Sequence, residues 1–271
     1  MLLKCFYHSA DLDGHCSGAL VKYCFPETEL IPIDYKDKFP YHRIKHHDTV
    51  IMVDFSLPME DMFYINENTK RFIWIDHHKT AINLYNEEIT IDAYLNTKKA
   101  GCELTWEFLY PESPMPLFVY LLGRYDVWDH SNDMVLPFQY GMRTFNTDPI
   151  KNMGIWKQLM EDDNGFIKQI IECGKHVIEY IKFYEEGIME NAFETIIDGY
   201  KALAINHNRL NNRSIYTAQY DIFLTFHRIR NQWRVSLYSE KIDVGLLAKK
   251  FGGGGHKGAA GFICQELPFE I

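Results

Sequence analysis

The chain lacks any apolar stretch long enough to span a bilayer. It also has no C-x-x-C pair. Cys5, Cys16, Cys24, Cys102, Cys173 and Cys264 are scattered, which argues against a zinc–thiolate cluster and favours reduced, buried thiols over disulfides. The basic excess of a protein that grips long nucleic acid is missing as well. Lys plus Arg number 28 against 37 for Asp plus Glu, a formal net charge of −9. That balance favours a small phosphorylated partner over a long duplex or other extended polymer. Internal repeats and low-complexity segments are absent. The opening Met1-Leu2-Leu3-Lys4-Cys5-Phe6-Tyr7 is too short for a signal peptide and runs straight into His8, so a cytoplasmic protein with no membrane attachment is expected.

What is present is ordinary for a globular protein: 271 residues, 46% hydrophobic and 24% charged, with room for two domains. Leu2 to Tyr7, Leu30 to Ile33, Thr49 to Val53 and Arg71 to Ile75 read as short strands rich in Ile, Val and aromatics. Helical patterns fall between and after them, at Gly14 to Phe25, Pro58 to Asn66, Gly101 to Tyr110 and Pro116 to Tyr125. This alternation predicts an α/β fold with a doubly wound parallel sheet. From Ile155 to Ile197 the pattern is helical, broken near Asp162-Asp163-Asn164-Gly165, and its second piece, Phe166 to Glu194, is long enough to connect domains. Beyond it, Tyr200 to Ile205, Ile222 to Arg228, Trp233 to Tyr238 and Gly261 to Ile263 read as strands, with a short helix over Val244 to Phe251. The expected organisation is an N-terminal domain over 1–150, a helical connector over 151–196 and a smaller α/β domain over 197–271.

Chemistry concentrates in five stretches. Asp11 and Asp13 alternate in Asp11-Leu12-Asp13-Gly14, so in an extended segment both face one way, with His8 just upstream; a plain turn with Asp13 capping the helix fits too. Two buried strands end abruptly in Asp54 and in Asp76-His77-His78. Carboxylates at buried strand ends are costly unless a cation meets them. Strand ends of a parallel sheet also converge on the edge where ligands bind. Alternation puts Asp76 and His78 on one side and His77 on the other, so one histidine can ligate metal while the other meets substrate. Tyr125-Asp126-Val127-Trp128 follows a helix. The last stretch is Gly252-Gly253-Gly254-Gly255-His256, whose glycines oppose helix and strand alike and suit close backbone approach, with free N–H groups for phosphate oxygens. Mixed Asp and His ligands on one edge suit two divalent transition metals.

Other candidates are weaker. His42, His46 and His47 lack the Glu of a zincin helix, and Asp162-Asp163-Asn164-Gly165 lacks the late Glu of a calcium loop. Asp129 and Lys79 need no function as loop and strand-end residues.

The set Asp-x-Asp-Gly, Val-Asp-Phe-Ser, Asp-His-His and Tyr-Asp-x-Trp, closed by Gly-Gly-Gly-Gly-His-x-x-Ala-Ala-Gly, resembles the DHH phosphoesterase superfamily. The glycine motif resembles its DHH-associated C-terminal domain, and the overall texture is similar to the oligoribonuclease (nanoRNase) and RecJ-like branch. The resemblance implies that His8, Asp11, Asp13, Asp54, His77 and Asp126 hold two Mn2+-type ions, with Mg2+, Co2+ or Fe2+ as alternatives. Asp54 and Asp126 would contact both ions, about 4 Å apart. It implies that Asp76 orients the site and that His78 lies close to the scissile phosphate. Gly252, Gly253, Gly254, Gly255 and His256 would grip a terminal phosphate or nucleotide across an interdomain cleft. Two departures stand out. The superfamily varies at the His8 position, and Tyr238-Ser239 replaces a frequent Arg-Ser, leaving Arg228, Arg230 or Arg234 to supply the cation.

The implied activity is hydrolysis of short RNA or DNA oligomers to mononucleotides, with a homodimer as a candidate assembly. Alternatives are a 3′-phosphonucleotide (pAp-type) phosphatase, a cyclic (di)nucleotide phosphodiesterase, and an inactive nucleotide sensor. Against the sensor, every motif carboxylate is present. The family's pyrophosphatases carry a different C-terminal domain, without the glycine–histidine loop.

Overall fold

The computed structural model describes residues 3–85, 91–161, 165–208, 210 and 219–271. The chain divides into two compact units, residues 1–178 and 179–271.

The first unit is built on a parallel sheet of β1 (Leu3–His8), β2 (Glu29–Ile33), β3 (Thr49–Val53), β4 (Arg71–Asp76) and β5 (Asp92–Leu95). Its strand order is β2-β1-β3-β4-β5, all pairs parallel. The three central strands are short apolar runs because both of their faces are buried. Cys5, Tyr7, Ile51, Val53, Ile73 and Ile75 face α1 (Leu12–Cys24) and α4 (Gly101–Leu109), meeting Val21 and Leu104. Alternate residues Phe6, Val50, Met52, Phe72 and Trp74 face the other way, onto Met62 and Ile65 of α2 (Met59–Glu67). That two-sided cover makes the sheet doubly wound, as expected. The winding order of the strands reverses between β1 and β3, and in open parallel sheets ligands bind at such a switch point, beyond the C-terminal strand ends. The helical layer continues through α3 (Lys79–Leu84), α5 (Leu117–Asp126), α6 (Val135–Met142) and α7 (Met153–Glu161).

Then comes α8 (Gly165–Met189), a 25-residue helix. It gives Ile167, Ile170 and Ile171 to the first unit's core and packs Ile188 and Met189 in the second unit. The expected break before it falls on Asp162, Asp163 and Asn164, which lie outside the described residues, as do Met1 and Leu2.

The second unit is a six-stranded sheet of β6 (Phe193–Ile197), β7 (Tyr200–Asn206), β8 (Ile222–Ile229), β9 (Gln232–Tyr238), β10 (Gly254–Gly255) and β11 (Ala259–Cys264). Strand order is β10-β11-β9-β8-β7-β6, with only β7–β8 parallel. One face packs Leu224, Phe226, Val235 and Leu237 under Val244, Leu247 and Ala248 of α9 (Val244–Lys250). The helical reading of Phe193 to Ile197 is corrected. Glu194 and Ile196 are exposed while Ile197 is buried, and the segment pairs antiparallel with β7. No helix among the described residues is long and apolar enough to cross a membrane.

Candidate metal centre

Three strands and two helices deliver the acidic and imidazole groups to one edge. His8 ends β1, Asp54 follows β3, and Asp76-His77-His78 ends β4. Asp11 is the N-cap of α1, its carboxylate accepting from the Gly14 amide at 2.9 Å. Capping therefore falls to Asp11, not Asp13, which leaves Asp13 inside the first helical turn and buried. Gly14 is required there, since a Cβ would stand 2.0 Å from the His8 carbonyl oxygen. Asp126 arrives from the last turn of α5.

These groups form two sets that meet at Asp54. On one side, His8 Nδ1 lies 3.0 Å from Asp11 Oδ2 and 3.5 Å from Asp54 Oδ2. On the other, His77 Nε2 lies 3.1 Å from Asp54 Oδ1, 3.4 Å from Asp126 Oδ2 and 3.7 Å from Asp13 Oδ2. The sets His8–Asp11–Asp54 and Asp13–His77–Asp126 each offer ligand atoms within 4.8 Å of one another, the span of a metal ion's shell. Asp54 therefore has one oxygen toward each set. Asp126 joins the second set through Oδ2.

Asp54 is held in the left-handed region at φ 52, a conformation Asp tolerates better than most residues. The backbone there is fixed by the Asp54 amide donating to Ile75 at 2.9 Å, continuing the β3–β4 pairing. Gly101 completes the fit: a Cβ on it would stand 2.8 Å from Asp54 Oδ1. Asp13 is anchored from the same helix start, accepting from the Gly101 and Cys102 amides at 2.7 Å each. Those donors are the free N–H groups of an N-terminus, where negative charge is favoured.

Asp76, fully buried, joins Asp54, His77 and His78 in a third group of ligand-type atoms within 4.8 Å of one another, but one of its oxygens is committed to its own chain segment. Its Oδ1 accepts from the His77 amide at 2.7 Å, the His78 amide at 3.3 Å and His78 Nδ1 at 2.7 Å. It thus fixes the direction of both histidines. His78 is partly exposed, while His77 is turned into the carboxylates. The alternation inferred from the strand end is what separates them.

Electrostatics mark the centre as built for cations. Burial of His8 opposes its charge, but Asp11 and Asp54 outweigh it and raise its pKa to about 10. His77 is raised to about 9 in the same way, chiefly by Asp54. Burial would raise Asp54, yet His77 and His8 pull it down to about 2. Asp126 is pushed up to about 6, by burial first and then by repulsion from Asp54. Asp13 rises well above the carboxylate range through burial and its acidic neighbours. Protons here stand in for missing positive charge. Three buried atoms, His8 Nδ1, Asp54 Oδ1 and Asp76 Oδ2, have no hydrogen-bond partner. Orphaned nitrogen and oxygen atoms in a His–Asp set are what divalent transition metals take up, so the residues fit the expected ions.

Two aromatics lie nearby: Tyr35, which the sequence reading did not single out, and Trp128, which it met only as the end of the Tyr-Asp-x-Trp motif. The Tyr35 ring lies 5.4 Å from His8 and 6.1 Å from His78, brought there by the loop after β2. Trp128, 85% exposed, follows Asp126 by two residues. Among the weaker candidates, Asp129 binds Ser131 and lies 3.6 Å from Arg124, and the 3-10 turn Tyr41–Arg43 carries His42 away from any acidic cluster among the described residues.

The glycine stretch lies in the second unit and lines a depression of about 660 Å³ with Arg234, Ser236, Tyr238 and Gly261. Of the three arginines considered, Arg234 lines it, whereas Arg228 lies over the Trp233 ring at 5.2 Å. His256 is exposed and outside the lining, with its amide donating to Ala259 at 2.8 Å. Nor do all four glycines offer free N–H groups. The Gly252 amide donates to Lys249 at 3.1 Å and the Gly253 amide to Ala248 at 2.9 Å, closing the end of α9. Gly252 needs its positive φ of 77 for that turn.

The chain is 24% identical to an uncharacterized protein of Acanthamoeba polyphaga mimivirus, over 97% of this chain and 69% of that protein. It is 22% identical to oligoribonuclease NrnB of Bacillus subtilis (strain 168), over 98% of this chain and 74% of that one. A solved pGpG-specific phosphodiesterase, PggH of Vibrio cholerae, shares the fold with a TM-score of 0.63 at 15% identity, over 97% of this chain and 93% of that one. Residues 5–122 match the DHH family, N-terminal domain, a span that holds five of the six expected ligands and the Asp-His-His stretch itself. That match, together with the order of the motifs, makes residues 5–122 similar to the DHH family's N-terminal domain.

Proposed function

We propose that this protein is a two-metal phosphodiesterase that cleaves short oligonucleotides, linear dinucleotides foremost, to mononucleotides. The observation that carries the reading is the pair of His–Asp sets sharing Asp54. His8, Asp11 and Asp54 would hold one ion, and Asp13, His77, Asp126 and Asp54 the other. When bound, the ions supply Lewis acidity toward the phosphate and a water nucleophile at neutral pH.

The protein groups do the rest. Asp76 keeps the His78 ring oriented, and its carboxylate, with that of Asp54, favours the charged imidazole against the cost of burial. A charged His78 donates through both nitrogens, so with Nδ1 on Asp76 its Nε2 is placed to donate to a phosphate oxygen or the leaving oxygen. The Asp13–α4 anchor holds its ligand set rigid against like-charge repulsion. In the second unit, the depression beside Arg234 is assigned to a substrate phosphate, with Arg234 as the cation in place of the arginine that Tyr238 replaces.

The relatives support a small nucleotide substrate by name, one an oligoribonuclease and one a pGpG-specific phosphodiesterase. The test is a product time course with Mn2+ on a dinucleotide, a long single strand, pAp, a cyclic dinucleotide and pyrophosphate. Fastest conversion of the dinucleotide is expected. Turnover of pAp or pyrophosphate alone would replace this reading.

A further inference from the structure

Helix α5 ends in a Schellman motif. The Trp128 amide donates to Tyr125 at 3.2 Å and the Asp129 amide to Arg124 at 2.9 Å, so Trp128 occupies the position where the chain turns left-handed. Its φ is 61. Glycine is the usual occupant, because a Cβ is disfavoured there. This protein follows that rule elsewhere: α9 closes with the same two bonds, and Gly252 sits at the turning position with φ 77. At the end of α5 the glycine is replaced by the largest side chain available.

Packing does not account for the choice. Trp74, Trp106 and Trp156 are all buried, but Trp128 is 85% exposed. Stabilisation does not account for it either, since an indole left so exposed recovers little for the strained backbone. What the position supplies is placement. Asp126, whose Oδ2 lies 3.4 Å from His77 Nε2, is only two residues earlier, so the two Cα atoms lie within about 8 Å. Behind the indole, the His130 ring is 5.8 Å away at 33°, and His130 stacks on Tyr125 at 5.3 Å and 22°. The Arg143 guanidinium covers Tyr125 at 5.4 Å. An open aromatic face, backed by rings and a cation beside a phosphate-cleaving centre, matches a stacking platform for a nucleobase.

We propose that Trp128 stacks on a base of the substrate adjoining the scissile phosphate. It would make the enzyme select nucleotides over other phosphodiesters while tolerating any base, since every base has a π-face. The inference rests on the nucleotide reading of the same centre.

The test compares wild type, Trp128→Gly and Trp128→Phe, all loaded with Mn2+. Three quantities are measured: kcat and KM on a dinucleotide, calorimetric affinity for AMP, GMP and ribose 5-phosphate, and Tm. Trp128→Gly is expected to keep its metal content and to melt at or above the wild-type temperature, because glycine relieves the turn. Its KM for the dinucleotide should nonetheless rise, and its affinity for AMP and GMP fall, on the order of 10-fold or more. Affinity for ribose 5-phosphate should not change, and Trp128→Phe should recover most of the loss. Wild-type KM and nucleotide affinity in Trp128→Gly would overturn the proposal. So would an equal loss on ribose 5-phosphate, or loss of a dimer as the sole effect. If wild type cleaves no dinucleotide, the proposed function falls, while the AMP, GMP and ribose 5-phosphate titrations still judge Trp128.

Discussion

At the scale of single residues, Asp54 decides whether the centre holds together. With one oxygen toward each histidine, Asp54→Asn should lower bound Mn2+ and cut turnover by ~10²-fold or more, as loss of a key electrostatic group does. Full metal occupancy with normal turnover would place the ions elsewhere. The two histidines should separate cleanly. His77→Ala is expected to lose metal, and His78→Ala to retain metal but slow the chemical step; metal analysis beside kcat reads both. The protonation pattern carries its own expectation. Without metal, the carboxylates hold His8 at about 10 and His77 at about 9, so both rings are protonated at neutral pH. Ligation requires them neutral, so loading expels protons and apparent Mn2+ affinity should fall as pH drops from ~9 to ~6. Calorimetry in buffers of different ionisation enthalpy counts the protons released. An affinity independent of pH would contradict the two-histidine ligand set.

At the scale of elements, the base of β1 offers a stability test remote from the centre. Lys4 Nζ lies 2.8 Å from Asp48 Oδ2, with Lys4 4% and Asp48 0% exposed at the side chain. Burial alone would raise Asp48, but Lys4 pulls its pKa below the ordinary value. A depressed carboxylate contributes stability above its unfolded pKa of about 4, and that contribution is lost as pH falls through the lower folded value. Asp48→Asn should therefore cost about 3 kcal/mol at pH ~7, the scale for breaking a buried pair, and little in strong acid. Denaturation midpoints at the two pH values check it, and an equal loss at both would mean a packing effect. The elements also differ in how openly the sequence announces them. The strands β1, β3 and β4 were legible because burial on both faces forces unbroken apolar runs. Their terminal Asp and His residues stood out against those runs, so most of the centre was legible too. The strand β5, Asp-Ala-Tyr-Leu, is an edge strand with no fully buried residue and left no such trace. The helix α6 was hidden by Pro137 and Gly141, ordinary helix breakers. Pro137 sits in the first turn, where its missing N–H costs nothing. Gly141 lets α8 approach, since a Cβ there would stand 2.0 Å from the Ile170 carbonyl oxygen. The role of Gly101 was invisible for the same reason, because close approach is a property of the partner and not of the local pattern. The glycine stretch misled in part: two of its amides serve the end of α9.

At the scale of the whole molecule, the net charge of −9 offers no broad basic surface for a polymer. Catalytic efficiency is therefore expected to fall as single strands lengthen beyond a few nucleotides, and to depend only weakly on salt. Equal efficiency on long strands, with a steep salt dependence, would favour a processive exonuclease. A final consequence follows from where the ligands lie along the chain. All six expected ligands fall between His8 and Asp126, and the first unit is complete by residue 178. During synthesis, the remaining residues 179–271 take roughly 5–20 s at ~5–20 residues per second. An ion-binding centre can thus assemble on the ribosome before the glycine-lined depression has been made. Nascent chains stalled late in the second unit should already retain Mn2+ in an Asp54-dependent way, and failure to do so would show that the centre waits for the C-terminal residues.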